Sequence, residues 1–362
     1  MFAGTVVWTL LFVGAQTASE PICNDTSVPR EDIVRGELGN RAHDFLLQMT
    51  DDGFSGAVLL SRRGEILLKM GYGYANREEL QPNNSETLFN VASVAKIFTA
   101  AAVLDLEEKQ ALSLENPLST YLGKFPDYKS TATVHHLLIH TAGLVARGAE
   151  LEYGSRESFV DSVKKAPFET PPGKVFRYTN AGYTLLAAIV ETVSGLPFEA
   201  YLEERLFKRA CMTQTAFVWE KRVEKLPAAV GYAGDTIDHL SAVPPETDIW
   251  GNRGPSNIAT NVGDLYRWIQ AVKSEQIISN SSISKMFTAY VGDEGYGWHV
   301  IDTEHGRLLR RGGGLLDFES SLRWYQDEDL VIIVLINNHL GLRVPIVQGL
   351  EDIAFGDVTS AP

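Results

Sequence analysis

The pattern of apolar and polar positions divides the chain into sheet-forming ends and a helical middle. Arg30 to Thr50 carries apolar residues at helical spacing, which predicts a helix. The two apolar runs around Arg62-Arg63-Gly64 predict a β-hairpin. Towards the other end, YGWHVIDT, RLLRRGG, ESSLRWYQ and LVIIVLINN predict three or four strands, and Val344 to Phe355 a closing helix. The middle, roughly Leu112 to Trp250, is mostly helix and loop.

This distribution predicts two lobes. Strands from the two ends most simply pair in one sheet, with the central helical block inserted as a second lobe. We therefore predict residues 30–111 and 251–356 as an α/β sheet lobe, 112–250 as an inserted helical lobe and 357–362 as a tail. A groove between lobes is a common place for a ligand site.

The first residues resemble an export signal. The apolar run from Thr5 to Gly14 is too short to span a bilayer, and small residues follow it, which favours a secretory signal peptide over residues 1–19. Residues 20–29 then form a polar leader. The alternative is a short uncleaved anchor, since no Lys or Arg precedes the run. We predict a secreted or periplasmic protein without a stable membrane span.

The net charge and the cysteine content indicate which ligands and which disulfide bonds to expect. The formal net charge is −14 over 362 residues, and no basic stripe with interleaved aromatic residues is present, which argues against nucleic-acid binding. Cys23 and Cys211 are the two cysteines. They could pair in an oxidising compartment, but an unpaired Cys211 that acts as a small hydrophobic residue is the favoured interpretation.

A serine and a lysine at the start of an apolar helix are the first candidate chemistry. In FNVASVAKIFTAAAVL, Ser93 and Lys96 are three residues apart and share a helix face. A serine hydroxyl needs a base to become a nucleophile. Apolar neighbours and a helix N-terminus lower the pKa of a lysine, so that Lys96 could be that base. Asn90 could cap the helix, leaving the Ser93 N–H free for an oxyanion.

The spacing alone is weak, because Ser-x-x-Lys also occurs at Ser162–Lys165 and Ser282–Lys285. Those two copies lie in polar, charged surroundings, where a surface lysine beside an incidental serine is the simpler explanation. The copy at Ser93 opens a long apolar helix directly after a strand region. Context therefore favours Ser93.

A tyrosine and an asparagine in FRYTNAGYT form the second candidate element. Tyr178 offers a proton carrier, and Asn180 offers a hydrogen-bond partner for a substrate amide or ester. Tyr74-Ala75-Asn76 has the same spacing, but it lies in the hairpin region, where a strand tyrosine with a turn asparagine is the favoured interpretation.

Several segments in order carry a resemblance to a known family: LFNVASVAKIFTAAAVL, VHHLLIHTAGL, PPGKVFRYTNAGYTLLAAIVETVSGLPFEAYLEERLF, IATNVGDLYRWIQA, YGWHV, RRGGGLLDFESS and VIIVLINN. Over about residues 40 to 355 the chain resembles the β-lactamase-related serine hydrolases, which include class C β-lactamases, D-alanyl-D-alanine peptidases and esterases. The resemblance implies an α+β fold, a mainly antiparallel sheet flanked by helices, with a helical lobe inserted between its second and third strands.

The resemblance also implies roles for single residues. The nucleophile falls on Ser93, the first-motif lysine on Lys96, and the tyrosine and asparagine on Tyr178 and Asn180. Relatives carry Lys-Thr-Gly or His-x-Gly as a third motif, where this chain has Arg311-Gly312-Gly313.

Arginine at that position has chemical consequences. Arg311 stays protonated and cannot shuttle a proton, but its planar fork suits a substrate carboxylate. An alignment shifted by one residue would use Arg310 instead. Gly313 would complete the motif, and Gly314 would supply a second oxyanion N–H, since glycine permits close approach of a ligand to the backbone.

Histidines and large aromatic residues are further candidates for metal ligands or for the wall of the groove. The glutamate of a zinc-peptidase H-E-x-x-H is absent beside His135, His136 and His140, so a structural role is favoured for these histidines. Some large aromatic side chains could line the groove or pack in the core; they are Tyr153, Trp219, Trp250, Trp298 and Phe318. We expect no metal or organic cofactor.

The sequence therefore predicts a serine hydrolase that works through an acyl-enzyme on Ser93, with Lys96 and Tyr178 as the acid–base pair. Its substrate would be a small or peptide-like molecule with an ester, amide or lactam carbonyl. Arg311 favours an esterase or D-amino-acid peptidase over a true β-lactamase or penicillin-binding D,D-carboxypeptidase. A non-catalytic relative that keeps the pocket as a binding module is the alternative of another class.

Overall fold

The computed structural model describes residues 28–145 and 154–356. The predicted signal peptide, nearly all of the polar leader, the C-terminal tail, Tyr153 and Cys23 lie outside the described residues. Within the described part, no single helix is both long and apolar enough to cross a membrane, although the bent pair Asn180–Ser194 and Phe198–Phe207 passes by length and composition alone.

Antiparallel strands from both ends of the chain build the main sheet. The strands, in chain order, are β1 (Ile33–Val34), β2 (Gly56–Arg62), β3 (Glu65–Tyr72), β4 (Tyr74–Asn76), β5 (Gln81–Pro82), β6 (Phe89–Asn90), β7 (Ala216–Phe217), β8 (Tyr232–Ala233), β9 (Ser241–Ala242), β10 (Ile258–Thr260), β11 (His299–Thr303), β12 (Gly306–Gly314), β13 (Glu319–Tyr325) and β14 (Leu330–Ile336). Seven of them form one sheet in the order β1-β3-β2-β14-β13-β12-β11. The predicted hairpin and all four C-terminal strands are confirmed.

The sheet is central because both of its faces are covered. Every residue of β14 is buried, and alternate side chains belong to different cores. Val331, Ile333 and Leu335 join the large core with the helical part of the chain. Leu330 and Ile332 join the core beneath the first and last helices. This explains why LVIIVLI reads as a continuous apolar run rather than an alternating one.

Helices occupy both sides of the sheet. They are α1 (Gly36–Asp51), α2 (Ala95–Glu108), α3 (Ser119–Leu122), α4 (Val134–Leu138), α5 (Arg156–Lys165), α6 (Asn180–Ser194), α7 (Phe198–Leu202), α8 (Val262–Lys273), α9 (Asn280–Met286) and α10 (Arg343–Phe355), with a π-helical turn at Glu203–Phe207 and 3-10 turns at Ala92–Val94, Asp127–Lys129, Val223–Lys225, Ile237–His239 and Trp250–Asn252. Helices α1 and α10 pack on one face, and α8 packs on the other. The predicted closing helix is confirmed.

The first helix begins later than its periodicity predicts. It starts at Gly36, and the residues before it form β1, which pairs with the outer edge of β3 through Ile33–Lys69 and Val34–Leu68. The edge of β3 offers unpaired backbone groups that this segment satisfies. Counting β1, the helical insertion therefore follows the third strand of the sheet rather than the second. The lobe boundaries at residues 112 and 250 stay predictions.

The preferred interpretation of Cys211 is wrong. Cys211 has a φ of +57° and is disulfide-bonded rather than unpaired. Two cysteines far apart in sequence carry no local signal that tells a thiol from a disulfide, which is why the sequence favoured the simpler state.

Candidate active site

Ser93 lies in the 3-10 turn that joins β6 to α2. Asn90 holds this turn, because its Oδ1 accepts the N–H of Ala92 at 3.0 Å. Ala92 has a φ of +48°, a left-handed conformation that costs free energy and is often found at functional sites. Asn90 therefore holds the turn but is not the helix cap that the sequence predicts, because α2 begins only at Ala95 and its N-cap residue is Val94. The first N–H groups of a helix lack intrahelical acceptors, and no described residue accepts the N–H of Ser93.

Lys96 is buried on the helix turn next to Ser93. Its Nζ lies 3.1 Å from Ser93 Oγ, 2.8 Å from Asn180 Oδ1 and 3.0 Å from the carbonyl oxygen of Pro255. Burial lowers the pKa of Lys96 well below its ordinary value, and the positive charge of Arg311 lowers it further. Both effects favour the neutral amine form of Lys96.

Tyr178 reaches Ser93 from the segment that precedes α6. Its hydroxyl donates to Ser93 Oγ at 2.8 Å. Thr179 caps α6 by accepting the N–H of Ala181, which fixes the direction in which the preceding residue leaves the helix. Tyr178 is 41% exposed, so a substrate can reach it. The structure thus brings Ser93, Lys96, Tyr178 and Asn180 together.

The protonation state of Lys96 sets the direction of the hydrogen bonds around Ser93. A charged Lys96 has three N–H donors, which match Ser93 Oγ, Asn180 Oδ1 and Pro255 O. A neutral Lys96 amine has two donors and one lone pair; when the donors go to Asn180 Oδ1 and Pro255 O, the lone pair is left for the hydroxyl of Ser93. Ser93 Oγ accepts from Tyr178. In the neutral form the serine proton therefore points at the lysine, which is the arrangement that a general base needs.

Arg311 is buried at the cavity wall and directs its hydrogen bonds to the protein. Its side chain is 2% exposed. Its Nε donates to the carbonyl oxygen of Ser93 at 3.3 Å, its Nη1 to Glu294 Oε1 at 3.2 Å and its Nη2 to the Tyr178 hydroxyl at 3.2 Å. The sequence predicted a partner for a substrate carboxylate, whereas this guanidinium is buried against Tyr178. Because Nη2 donates to the tyrosine oxygen, the O–H of Tyr178 is directed to Ser93.

Gly313 brings strand β12 against the nucleophile turn. A Cβ placed on it would lie 2.4 Å from the Val91 carbonyl oxygen and 2.8 Å from the backbone nitrogen of Ser93. Both distances are shorter than any real Cβ contact, and both partners are backbone atoms. A side chain at this position is therefore incompatible with the present approach of β12 to Ser93.

Gly314 directs its N–H towards the open end of the sheet. Leu315, just past β12, donates its N–H to Phe318 O. Along an antiparallel strand, every second residue directs its N–H and C=O groups to the same neighbouring strand. Gly313 therefore directs its N–H to β13, as Leu315 does, and Gly314 directs its N–H away from β13. The pairing of β11 with β12 ends at Arg310. The Gly314 N–H thus faces the side on which the cavity opens.

A cavity of about 440 Å³ lies over Ser93 and Tyr178. The other residues that line it are His299, Arg310, Arg311, Gly312, Gly313, Gly314, Ser321, Arg323, Arg343 and Val344. This wall holds four arginines and no acidic residue, on a chain with a net charge of −14. A concave, cationic wall attracts anions. A larger cavity of about 860 Å³ near Trp250 contains none of the predicted site residues, so chemistry rather than size locates the site.

The other candidates have structural contacts. Ser162 donates to its own helix at Phe159 O, and Lys285 pairs with Glu107 at 2.9 Å, so neither further Ser-x-x-Lys copy joins its serine to its lysine. The remaining candidates lie outside the cavity lining; among them Trp298 and Phe318 are buried, and His136 forms a capping box with Thr133. Asn76 accepts from Glu79 N, as expected for a turn. Among the described residues, no group of three or more His, Cys, Asp or Glu could hold a metal ion.

Two residues of the site were missed by the sequence analysis. Glu294 contacts Arg311, and its position in the turn VGDEG carries no local signal. His140 was considered only as a metal ligand, yet its ring packs on Tyr178 with centroids 4.5 Å apart. Its φ of +56° is the one feature that marks it, and that is visible only in the structure.

Comparison with known proteins agrees with this fold. The arrangement of sheet and helices is that of solved penicillin-binding protein and β-lactamase structures. The family model described as Beta-lactamase matches residues 46–345, and the chain belongs to this family of serine hydrolases.

Two curated proteins and one solved structure illustrate the similarity. The putative penicillin-binding protein PbpX of Bacillus subtilis (strain 168) is 32% identical over 310 residues, covering 85% of this chain and 76% of its own. The teichoic acid D-alanine hydrolase of Staphylococcus aureus (strain MRSA252) is 26% identical over 289 residues, covering 78% and 70%. The penicillin binding protein from Bacillus halodurans superposes with a TM-score of 0.75 at 26% identity, covering 88% and 100%.

Proposed function

We propose that this protein hydrolyses an ester or amide through an acyl-enzyme on Ser93. The observation that carries the proposal is the set of contacts that joins Arg311 to the Tyr178 hydroxyl, and both Tyr178 and Lys96 to Ser93 Oγ. When Lys96 is neutral, these contacts aim the serine proton at a buried amine whose pKa is well below its ordinary value. A serine with that environment is an activated nucleophile.

In the acylation half-reaction, the Ser93 proton moves to Lys96 as Oγ bonds to the substrate carbonyl carbon. The N–H groups of Ser93 and Gly314 would stabilise the oxyanion that forms. When the bond to the leaving group breaks, Tyr178 gives the leaving group its proton. Arg311 and the newly charged Lys96 then flank the negative charge on the tyrosine oxygen.

Deacylation restores both groups. Water gives a proton to the Tyr178 oxygen while its own oxygen bonds to the acyl carbon. Collapse of this intermediate expels Ser93 Oγ, which takes back the proton from Lys96. Each group ends the cycle in its starting state, so no further acid, base or metal is needed. Asn180 is exposed, and its amide oxygen faces Lys96, which leaves its NH₂ group to donate to the acyl side of the substrate.

The cavity wall supports a substrate with a negative charge near the scissile bond. Arg311 is buried and already paired, so the partly exposed arginines Arg310 and Arg343 are the candidates for contacting that charge. The relative named as a teichoic acid D-alanine hydrolase supports an ester of a D-amino acid as the first substrate to test. Secretion, expected from residues 1–19, remains part of the proposal.

Hydrolysis of a p-nitrophenyl ester tests the function. Ser93→Ala is expected to abolish turnover, and Ser282→Ala, from another Ser-x-x-Lys copy, is the matched control that should keep it. Retained turnover in Ser93→Ala would reject Ser93 as nucleophile. A folded protein that neither hydrolyses esters, amides and penicillins nor reacts with a fluorophosphonate would instead be a binding module.

A further inference from the structure

Glu294 is a buried carboxylate at the back of the candidate site. It lies in the turn before β11, and its backbone is fixed by hydrogen bonds with Val291 and Tyr290. Its side chain is 1% exposed and does not line the cavity. Glu294 therefore does not reach a substrate. Its Oε1 accepts from Arg311 Nη1 at 3.2 Å, and its Oε2 lies 3.4 Å from His299 Nδ1.

The same carboxylate faces His140. The N–H of Thr179 donates to His140 Nδ1 at 3.3 Å, so that nitrogen is the acceptor and Nε2 carries the ring proton. This Nε2 lies 3.6 Å from Glu294 Oε1. Burial lowers the pKa of His140 well below its ordinary value, so the ring stays neutral.

His140 in turn braces the segment that carries Tyr178. Its carbonyl oxygen accepts the N–H of Arg177 at 2.8 Å, its Nδ1 accepts that of Thr179, and its ring packs on the tyrosine ring between them. Three contacts from one residue thus surround Tyr178. The left-handed φ of His140 is the strained conformation that allows its backbone and ring to face the same segment.

Building on the proposed function, we infer that Glu294 is a positioning residue for the reaction: it orients Arg311 towards Tyr178 and Ser93, balances the charge of Arg311, and supports His140 behind the tyrosine. A buried arginine without a counter-charge is costly, because its desolvation is then uncompensated. Without the carboxylate, nothing else among the described contacts of Arg311 is anionic. Loss of Glu294 should therefore free the guanidinium from its present orientation.

The charges around Glu294 determine in which direction the pKa of Lys96 should move when Glu294 is replaced. Arg311 on β12 and His299 on β11 face it, as does neutral His140, while Asp293 on its own turn opposes its ionisation. Burial raises the pKa of Glu294, and Arg311 and His299 lower it. The negative charge of Glu294 raises the pKa of Lys96, whereas Arg311 lowers it. Removing the negative charge should therefore lower the pKa of Lys96 further.

The experiment compares Glu294→Gln with the unaltered protein over a range of pH. The kcat/KM for a p-nitrophenyl ester and the rate of fluorophosphonate labelling are measured, with folding checked by circular dichroism. On the acidic side of both pH profiles, the rate falls as the proposed base, Lys96, becomes protonated. This acidic limb should move to lower pH in the variant. The kcat should fall about tenfold to a hundredfold, because catalytic groups are no longer held in place.

Two further variants separate positioning from general damage. Asp264→Asn removes another buried carboxylate that pairs with an arginine, Arg267, but contacts none of the site residues; it should leave the acidic limb where it is. Glu294→Asp keeps the charge but shortens the reach to Arg311. It should lower kcat without shifting the limb, and it replaces Glu294→Gln as the test if the glutamine variant does not fold.

The outcomes distinguish a failure of the proposed function from a failure of the positioning role of Glu294. If the unaltered protein neither hydrolyses nor reacts, the proposed function fails and this inference fails with it. If the unaltered protein reacts and the Glu294→Gln profile superposes on it, or if kcat is unchanged in Glu294→Asp, Glu294 is not a positioning residue while the proposed function stands.

Discussion

The Nζ of Lys96 lies 2.8 Å from Oδ1 of Asn180, the first residue of helix α6. This contact joins the helix that carries Lys96 to the helix that follows Tyr178, and it takes one N–H donor of the lysine. The Pro255 carbonyl takes a second. What remains for Ser93 is a third N–H when Lys96 is charged and a lone pair when it is neutral, so the protonation state of Lys96 decides whether it can act as the base.

The stability of the protein should report that protonation state. The pKa of Lys96 is lower in the folded protein than in the unfolded chain, so the folded protein binds fewer protons and its stability rises with pH. The rise extends from the folded-state pKa up to the unfolded value of about 10.4. In Lys96→Met this contribution is absent.

The free energy of unfolding of both proteins, measured by urea denaturation at several pH values, checks this. The unaltered protein should gain stability relative to Lys96→Met as pH rises through that window. A constant difference would mean that Lys96 is charged in the folded protein. The comparison uses the slopes of the free energy of unfolding against pH. The stability that Lys96→Met loses by leaving Asn180 and Pro255 without a donor does not depend on pH, so it does not affect these slopes.

Replacement of Tyr178 should affect poor leaving groups most. In single-turnover acylation, Tyr178→Phe should slow an alkyl ester by about 10²–10⁴-fold, the usual contribution of a general acid. The p-nitrophenyl ester should be slowed much less, because its leaving group departs without a proton. Equal slowing of the two esters would assign Tyr178 to another step.

Gly313→Ala should disrupt the approach of β12 to Ser93. The added Cβ would meet backbone atoms at 2.4 and 2.8 Å, so the strand must move. We expect a loss of about 1–3 kcal/mol in stability, typical of overpacking, together with loss of ester turnover. Gly154→Ala is the matched control, since nothing lies within 4 Å of its Cβ position. Full turnover in Gly313→Ala would contradict the described contact.

Arg310→Gln should discriminate between charged and neutral substrates. Arg310 is partly exposed, and its nearest acidic oxygen, on Asp293, is 3.9 Å away. Loss of a hydrogen bond to a charged group costs about 1.5–3 kcal/mol, so KM for an ester with a carboxylate should rise roughly tenfold or more. KM for the neutral analogue is the internal control. Arg63→Gln, at the distant hairpin turn, should change neither value. An equal effect on both esters would reject the anion contact.

Much of the fold was predictable because its signals are local. The hairpin at Arg62-Arg63-Gly64 and the C-terminal strands follow from apolar periodicity and turn residues. Strand β1 could not be predicted, since two residues pair there only because the edge of β3 is open to them. The disulfide state of Cys211 likewise depends on position rather than on neighbouring residues.

The site also contains residues that the sequence predicts and residues that only the folded structure brings into place. Ser93, Lys96, Tyr178 and Asn180 were found because ordered motifs carry them. The burial of Arg311 was not foreseen, since its partner Glu294 lies in an unremarkable turn and the pair forms only once β12 is seated beside that turn. His140 was visible in the sequence, but its contact with Tyr178 depends on a left-handed backbone.

Peptide mapping of a trapped adduct shows whether Ser93 is the nucleophile and whether Lys96 activates it. The protein is treated with a fluorophosphonate at neutral pH, digested and analysed by mass spectrometry, alongside Lys96→Met. We expect one modified peptide, containing Ser93, in the unaltered protein and a strong loss of labelling in Lys96→Met. A modification on another residue, or equal labelling of Ser93 without the lysine, would contradict these roles.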